Sequence, residues 1–255
     1  MQQDFQARLP QAVVRPLADY QFRDYADDYL RDFLGVAVLS IVDYSAYQAA
    51  DIIHDFNQPI PENLWGRFDA VIEGGSLEHI FNFPVAISNL MRLVKVGGSL
   101  FITTPANNLC GHGFYQFSPE LMFRIFAPEN GFELRRVVLF EAMFPGVELT
   151  SNRRAFEVAD PAAVHARVGL VSSKPVTMMV EARKVEDRPL FTRAPLQSDY
   201  VSLWKPAGGQ GQQRDGLGAL AALIAKLPAP LQARLRGYRQ RQLFSLSNKR
   251  FYKRL

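Results

Sequence analysis

Short runs of apolar residues alternate with longer amphipathic segments between residues 51 and 120, and this alternation constrains the fold more than any other feature. Residues 68–72 and 99–103 have the length and composition of buried strands, and residues 83–94 between them carry apolar side chains at helical spacing. Strand, helix and strand in alternation predict a doubly wound, mostly parallel α/β sheet with right-handed crossovers. Ligands bind such a sheet beyond the carboxyl ends of its strands, so functional residues are expected just after each apolar run.

The same patterns extend the prediction on both sides of this stretch. Ser118, Pro119 and Glu120 predict a helix start, because they suit the N-cap, the first helical position and the positive end of the helix dipole. Further elements are predicted from apolar spacing and from the glycines and prolines at their ends: a helix over 24–34, strands over 36–42, 51–54, 132–140 and 176–183, and a helix over 217–227.

Changes in composition predict four segments. They are an N-terminal arm (1–23), an α/β domain (24–190), a flexible linker (191–216) and a basic helical C-terminal extension (217–255). The extension mixes arginines and lysines with an interrupted apolar pattern. A basic amphipathic helix can lie on an anionic membrane surface or bind an acidic partner. A solvated helix that folds back on the domain is the alternative.

Charge and cysteine content exclude several classes of protein. The 255 residues carry a formal net charge of +4, which is too small to indicate a nucleic-acid partner. Cys110 is the only cysteine, so neither an intramolecular disulfide nor a cysteine-based metal cluster can form. The four histidines lack the spacing of metal ligands, so no metal site is predicted. Neither a signal-peptide pattern nor an apolar run of bilayer length is found, so a cytoplasmic protein is expected.

Several motifs follow one another in a fixed order. Asp43 ends one predicted strand, Glu73-Gly74-Gly75-Ser76-Leu77-Glu78-His79 follows another, Lys95-Val96-Gly97-Gly98 precedes the next, and residues 111–120 read GHGFYQFSPE. In this order the chain resembles a class I S-adenosylmethionine-dependent methyltransferase over roughly residues 24–140. The resemblance implies a Rossmann-like fold, S-adenosylmethionine as cofactor, and methyl transfer to a small-molecule or glycan-like acceptor.

One expected motif of that family is missing. The first strand of the family normally ends in a glycine-rich turn, where bare backbone approaches the methionine part of the cofactor. Before Asp43 the chain has a single glycine, Gly35, which lies at the end of a predicted helix. Three explanations stay open: the start of the sheet is missing, another segment replaces the turn, or cofactor binding has been lost. The last would make the chain a non-catalytic binding or scaffold protein, and a nucleotide-sugar-binding enzyme is a third reading.

The resemblance implies cofactor-binding roles for residues at strand ends: Asp43, Asp55, Phe56, Glu73, Gly74, Gly75 and Ser76. Asp43 would accept hydrogen bonds from the ribose hydroxyls and Asp55 from the adenine amino group, while the Phe56 amide would meet an adenine nitrogen. The turn 73–76 would lie at the transfer centre. Plain turn chemistry is the alternative for each position, for example a turn that Asp43 makes with Ser45.

Two histidines and one loop are the candidates for binding and activating the methyl acceptor. His79 or His112 could take a proton from an attacking hydroxyl or amine, since the pKa of an unperturbed histidine lies near neutrality. A histidine that only orients the turn is the alternative for His79, and Glu78 is expected to cap the next helix. A loop that mixes aromatic and amide side chains suits a polar acceptor such as a sugar, unless it packs on itself. Its predicted substrate-binding residues are Asn107, Asn108, Tyr115 and Gln116.

Overall fold

The computed structural model describes residues 30–31, 35–46, 50–141, 154–204 and 227–255. The chain divides into two compact units, residues 1–55 and 56–255. In the first unit, strand β1 (Val42–Asp43) pairs in parallel with strand β2 (Ile52–Ile53). Most of the predicted helix over 24–34, the predicted arm and the predicted helix over 217–227 lie outside the described residues.

The second unit contains a six-stranded sheet. Its strands are β3 (Phe68–Glu73), β4 (Val94–Asn107), β5 (Phe132–Glu141), β6 (Ala155–Val158), β7 (Val176–Lys184) and β8 (Tyr252–Arg254), and their order is β3-β4-β7-β5-β6-β8. The pair β3–β4 is parallel, whereas the other four pairings of these described strands are antiparallel. The protein is therefore a mixed α/β structure, but the sheet is not the mostly parallel, doubly wound sheet that the sequence predicts.

The reversed strand β7 explains the difference. Residues 159–175, which connect β6 to β7, contain turns and no helix. Because β7 pairs antiparallel with both β4 and β5, those two strands run in the same direction, and β3 runs with them. The carboxyl ends of β3, β4 and β5 consequently lie at one edge of the sheet.

Four α-helices are described: α1 (Phe83–Leu93), α2 (Pro119–Ile125), α3 (Ser198–Trp204) and α4 (Ala229–Leu243). Helix α1 matches the predicted segment 83–94 within one residue, and one of its faces is buried. Helix α2 begins as predicted, because the Ser118 side chain accepts a hydrogen bond from the Leu121 amide and Pro119 is the first helical residue. None of the described helices is long and apolar enough to cross a membrane.

The core lies on one face of the sheet. The alternating apolar residues of the central strands point to this face. Leu100 and Ile102 of β4 are buried while Phe101 between them is 38% exposed, which is the period of two expected for a strand. In β7 the buried residues alternate in the same way: Val176, Met178, Val180 and Ala182. Side chains from α1 and α2 complete this core.

The basic C-terminal segment is only partly helical. Helix α4 has no buried residue, and its apolar side chains Leu231, Leu235 and Tyr238 are all exposed. Beyond the helix, Phe251 and Tyr252 are buried, and β8 pairs with β6. The end of the predicted helical extension (217–255) is therefore a strand of the sheet, because its aromatic residues contribute to the core.

Candidate functional site

The shared edge of the sheet collects several polar residues. Glu73, Asn107 and Glu141 are the last residues of β3, β4 and β5. The register places both Asn107 and Glu141 opposite Val176 of β7. This is the edge at which an α/β sheet binds ligands. It is also where the predicted site residues that follow β3 and β4 are found.

The turn after β3 is built around the Glu73 carboxylate. Its Oε1 atom accepts hydrogen bonds from the backbone amides of Gly75 (2.9 Å), Leu77 (3.1 Å) and Ser76. Its Oε2 atom is buried and has no hydrogen-bond partner among the described residues. Burial raises the pKa of the Glu73 carboxyl above its ordinary value, although the three backbone hydrogen bonds oppose this shift. An orphaned buried oxygen of this kind is costly and is a natural place for a ligand donor or cation.

The two glycines of this turn differ in their surroundings. A side-chain carbon added at Gly74 would meet no atom within 4 Å, so open space lies beside this backbone. Gly75 has a φ of +109°, and a side-chain carbon there would lie 3.2 Å from the Glu78 Oε1 atom. Gly75 is therefore required by the fold of the turn, whereas Gly74 leaves room for a ligand.

Glu78 is buried, with 1% of its surface exposed. Its Oε2 atom accepts a hydrogen bond of 3.0 Å from the Thr104 hydroxyl, and its Oε1 atom lies 3.3 Å from Nε2 of His112. The sequence predicts that Glu78 caps the next helix. The helix that follows, α1, begins at Phe83 with Asn82 at its N-cap, so Glu78 has a different role. It joins the turn after β3 to the end of β4 and to the loop that carries His112.

The two predicted histidines lie together. The ring centroids of His79 and His112 are 5.1 Å apart in an edge-to-face arrangement. His79 is exposed on the turn after β3, and the side chain of His112 is 33% exposed. The structure therefore brings together His79, His112 and Glu78, three groups that can accept protons or bind cations.

The loop that carries His112 docks on the backbone of Glu78. The Glu78 carbonyl oxygen accepts hydrogen bonds from the amides of Phe114 (2.6 Å) and Tyr115 (3.2 Å). Gly113 makes this approach possible, because its φ is +75° and a side-chain carbon there would lie 2.7 Å from the same oxygen. The docking of the loop thus holds His112 beside His79.

Most of the predicted substrate-binding residues hold this loop in place. The side-chain nitrogen Nδ2 of Asn108 donates hydrogen bonds to the backbone carbonyl oxygens of Ser172 (2.5 Å) and Lys174 (2.9 Å). The Gln116 side chain accepts from the Leu109 amide at 2.8 Å, and the Tyr115 hydroxyl donates to the Phe81 carbonyl oxygen at 2.7 Å. This is the self-packed loop that the sequence leaves open as an alternative. The predicted binding of a substrate by these side chains and by Asn107, which lies at the end of β4, stays a prediction.

A pair of exposed aromatic rings lies beside the loop. Phe81 is 75% exposed and Phe114 is 69% exposed, and their centroids are 6.4 Å apart in an edge-to-face arrangement. Such rings offer apolar faces on which a sugar or another ring can pack. Neither residue is among the predicted site residues, although two phenylalanines close to the histidines in sequence are a usable signal.

The predicted cofactor residues of the first unit follow neighbouring strands. The His54 amide donates to the Asp43 carbonyl oxygen at 2.8 Å. The Oδ1 atom of Asp43 accepts hydrogen bonds from the Ser45 amide (2.8 Å) and hydroxyl (3.1 Å), which is the turn that the sequence offers as the alternative role. Asp55 follows β2 and is half-buried.

Phe56 opens the second unit and is anchored by α1. Asn89 on this helix is 1% exposed; its Nδ2 atom donates to the carbonyl oxygens of Gln58 (2.8 Å) and Phe56 (3.4 Å), and its Oδ1 atom accepts from the Ile60 amide. The Phe56 side chain packs against the core. Asn89 of α1 therefore holds the backbone of residues 56–60.

Comparisons with known proteins give little further identification. No protein-family model matches the chain, and no curated protein matches it. A solved structure of a candidate methyltransferase from Bacillus halodurans C-125 is similar, with a TM-score of 0.41 and 14% sequence identity. The match covers 63% of this chain and 87% of that chain. At this TM-score and identity the match assigns no role to any residue of this chain.

Proposed function

We propose that the protein is an S-adenosylmethionine-dependent methyltransferase that acts on a small-molecule or glycan-like acceptor. The observation that carries the proposal is the turn after β3, where the buried Oε2 atom of Glu73 lacks a described partner and the backbone at Gly74 faces open space. The sequence motifs of the turn support the same conclusion. A buried carboxylate with an unused oxygen suits a cofactor that carries a sulfonium and an ammonium group.

The residues of the chain divide into those that would bind the cofactor and those that would handle the acceptor. The turn 73–76 would contact the cofactor near its methyl group. The roles of Asp43 toward the ribose and of Asp55 toward the adenine stay predictions from the sequence. When bound, S-adenosylmethionine supplies a methyl group on a positively charged sulfur. The protein then has to align the acceptor and exclude water, which is where most of the rate acceleration would originate.

The acceptor side would be formed by the two histidines and the exposed rings. His79 or His112 would take the proton of the attacking group, and the Glu78 carboxylate 3.3 Å from His112 would stabilise the resulting positive charge. Phe81 and Phe114 would pack against the apolar face of a sugar or a ring. These groups lie on two segments that meet at the Glu78 carbonyl oxygen.

A non-catalytic methyltransferase-like binding protein is the second candidate. Two observations favour it: no Gly-x-Gly motif precedes Asp43, and one oxygen of the Asp43 carboxylate already accepts two hydrogen bonds from Ser45. A protein of this kind would keep the folded turn and lose the affinity for the cofactor.

Calorimetric titration of the full chain with S-adenosylmethionine and S-adenosylhomocysteine separates the two candidates. The proposal predicts dissociation constants in about the micromolar range. The variant Asp43→Asn should weaken binding about tenfold or more, because an amide still accepts the hydrogen bonds from Ser45 but provides one acceptor fewer. Asp69→Ala, on an exposed side chain paired with Lys95, is the control and should bind like the parent protein. Absence of heat at millimolar ligand would favour the binding protein.

We also propose that helix α4 contacts an acidic surface, either an anionic membrane or an acidic partner. The helix has no buried residue and carries four arginines: Arg234, Arg236, Arg239 and Arg241. Its exposed Leu231, Leu235 and Tyr238 lie among these arginines and do not form a separate apolar face. Positive charge, and not an apolar face, would therefore carry such a contact.

A further inference from the structure

We propose that Glu78, His79 and His112 bind one divalent transition-metal cation, for which Zn²⁺ is the best match. Each residue offers one ligand atom, and these atoms all lie within 4.8 Å of one another. Two imidazoles and one carboxylate are a common ligand set for zinc and for other first-row divalent metals. The spacing in sequence predicts no metal site, because His79 and His112 are 33 positions apart, but the docked loop brings them together.

The distance between two of the ligand atoms already fits a tetrahedral site. Ligands placed 2.0–2.1 Å from a tetrahedral zinc ion are about 3.3–3.4 Å apart. Glu78 Oε1 and His112 Nε2 are 3.3 Å apart. His79 is exposed on the turn, so its ring can rotate toward the same point without displacing core residues.

The environment of Glu78 favours a positive charge at this point. A carboxylate that is 1% exposed has lost almost all of its hydration, so its ionised form needs a compensating cation or several hydrogen bonds. Thr104 donates one hydrogen bond to Oε2 and thereby orients Oε1 toward the histidines. A hydrogen bond from a neighbouring side chain to the far oxygen of a ligating carboxylate is typical of metal sites.

The site would keep an open coordination position. Three protein ligands leave a fourth position of a tetrahedral metal for water or substrate, and the partial exposure of both histidines gives a cation and its ligand access. Such a cation lowers the pKa of a bound hydroxyl. The proton of the bound hydroxyl would then pass to solvent water, because the ligating nitrogens of His79 and His112 could no longer accept it.

A structural ion pair between Glu78 and His112 is the competing explanation. It would fasten the loop to the turn without any metal and would not involve His79. The variant His79→Gln therefore distinguishes the two explanations, because the described contact of the His79 ring is its edge-to-face packing with His112. The proposal concerns metal binding alone and does not depend on methyl transfer.

The experiment uses the full chain, stripped of metals with a chelator and dialysed against Zn²⁺ without any methyl donor. Bound metal is counted by mass spectrometry, and the dissociation constant is measured against a chromophoric chelator. The proposal predicts one zinc ion per chain, and binding at least about tenfold weaker in His79→Gln, in His112→Gln and in Thr104→Val. His165→Asn is the matched control, since His165 is exposed and asparagine accepts its positive φ of 49°.

Cobalt gives a second readout that does not depend on affinity. Co²⁺ in the same site should show the visible absorption of a tetrahedral centre, and this absorption should be lost in His79→Gln but kept in His165→Asn. Circular dichroism of the metal-free variants checks that each is folded. If His79→Gln does not fold, His112→Gln takes its place in this comparison. Absence of stoichiometric zinc, or zinc binding that is equal in all variants, would overturn the proposal.

Discussion

Gly113→Ala tests the contact that positions His112, the docking of the loop on the Glu78 carbonyl. The new side-chain carbon would lie 2.7 Å from the Glu78 oxygen and 2.9 Å from its Cγ atom, both far inside contact distance. The φ of +75° adds conformational strain of about 1–2 kcal/mol for a residue other than glycine. Moving the oxygen away also stretches the hydrogen bonds from Phe114 and Tyr115, each of which contributes about 0.5–1.5 kcal/mol.

Together these effects should destabilise the docked loop by about 2–4 kcal/mol. Hydrogen–deuterium exchange measured on the peptide 109–117 reports this directly, because local opening exposes the amides of Phe114 and Tyr115. Their exchange should accelerate roughly 30- to 700-fold, provided that the loop opens independently of the rest of the unit.

Gly111→Ala is the matched control for this prediction. It changes the same residue type two positions away in the same loop, but its added carbon meets no atom within 4 Å. Its effect should stay within about 0.5 kcal/mol. Equal exchange rates in the two variants would refute the inference that the loop is docked on Glu78.

Three further perturbations test other parts of the structure. Arg154→Met should destabilise the protein by roughly 1–3 kcal/mol at neutral pH, since Arg154 donates to the buried Glu141 carboxylate at 2.5 and 2.7 Å. Arg154 also holds the pKa of Glu141 below its ordinary value of 4.5. The difference in stability between Arg154→Met and the parent, measured by urea unfolding, should therefore be complete above pH 4.5 and disappear as the pH falls through the lowered pKa. A difference that is independent of pH would contradict this. Asn89→Ala should lower the free energy of unfolding by about 2–4 kcal/mol in the same assay, because it leaves the buried Ile60 amide without its acceptor. Arg135→Met, which removes an exposed ion pair with Glu133, is the control and should change it by less than about 0.5 kcal/mol. Replacing the four arginines of α4 by glutamine should abolish flotation of the full chain with anionic vesicles, and neutral vesicles serve as the control. Equal flotation of both proteins would exclude the membrane contact.

Local elements of the second unit could be predicted well because their signals are local. In the first unit, the predicted buried strand over 36–42 was wrong, because only Val42–Asp43 is a strand and Val38 is 83% exposed. The apolar spacing of residues 83–94 and the Ser118-Pro119 start are properties of one helical turn or a few, and both helices form where predicted. The strands β3, β4, β5 and β7 were predicted from short apolar runs in the same way, and their observed ends differ mainly because pairing with neighbours extends a strand. Extension is largest in β4, which continues to Asn107.

Strand direction and pairing could not be predicted in the same way. Nothing within the segment 176–183 indicates that it returns antiparallel between two strands that run together, since that choice depends on the connections and the partners. The short strand β8 has no alternation of its own, and the sequence around it reads as a basic helix. It forms because Phe251 and Tyr252 enter the core and β6 offers an edge.

The site shows the same limit. The turn after β3 could be located from Glu73, its glycines and His79, because these lie within a few residues of one another. The contacts of Glu78 with Thr104 and His112 could not be predicted, because these partners are 26 and 34 positions away in sequence and meet Glu78 only in the folded protein. Asn108 and Gln116 show the converse, since amides that look suited to a ligand serve the loop itself.

The most direct test of the proposed function is a crystal structure of the full chain with S-adenosylhomocysteine at a saturating concentration. The account predicts a bound ligand in contact with the turn Glu73–Ser76, with a donor or positively charged group within hydrogen-bond distance of the Glu73 Oε2 atom. Ligand density elsewhere on the chain, or crystals that remain free of ligand while the turn is accessible in the lattice, would contradict it.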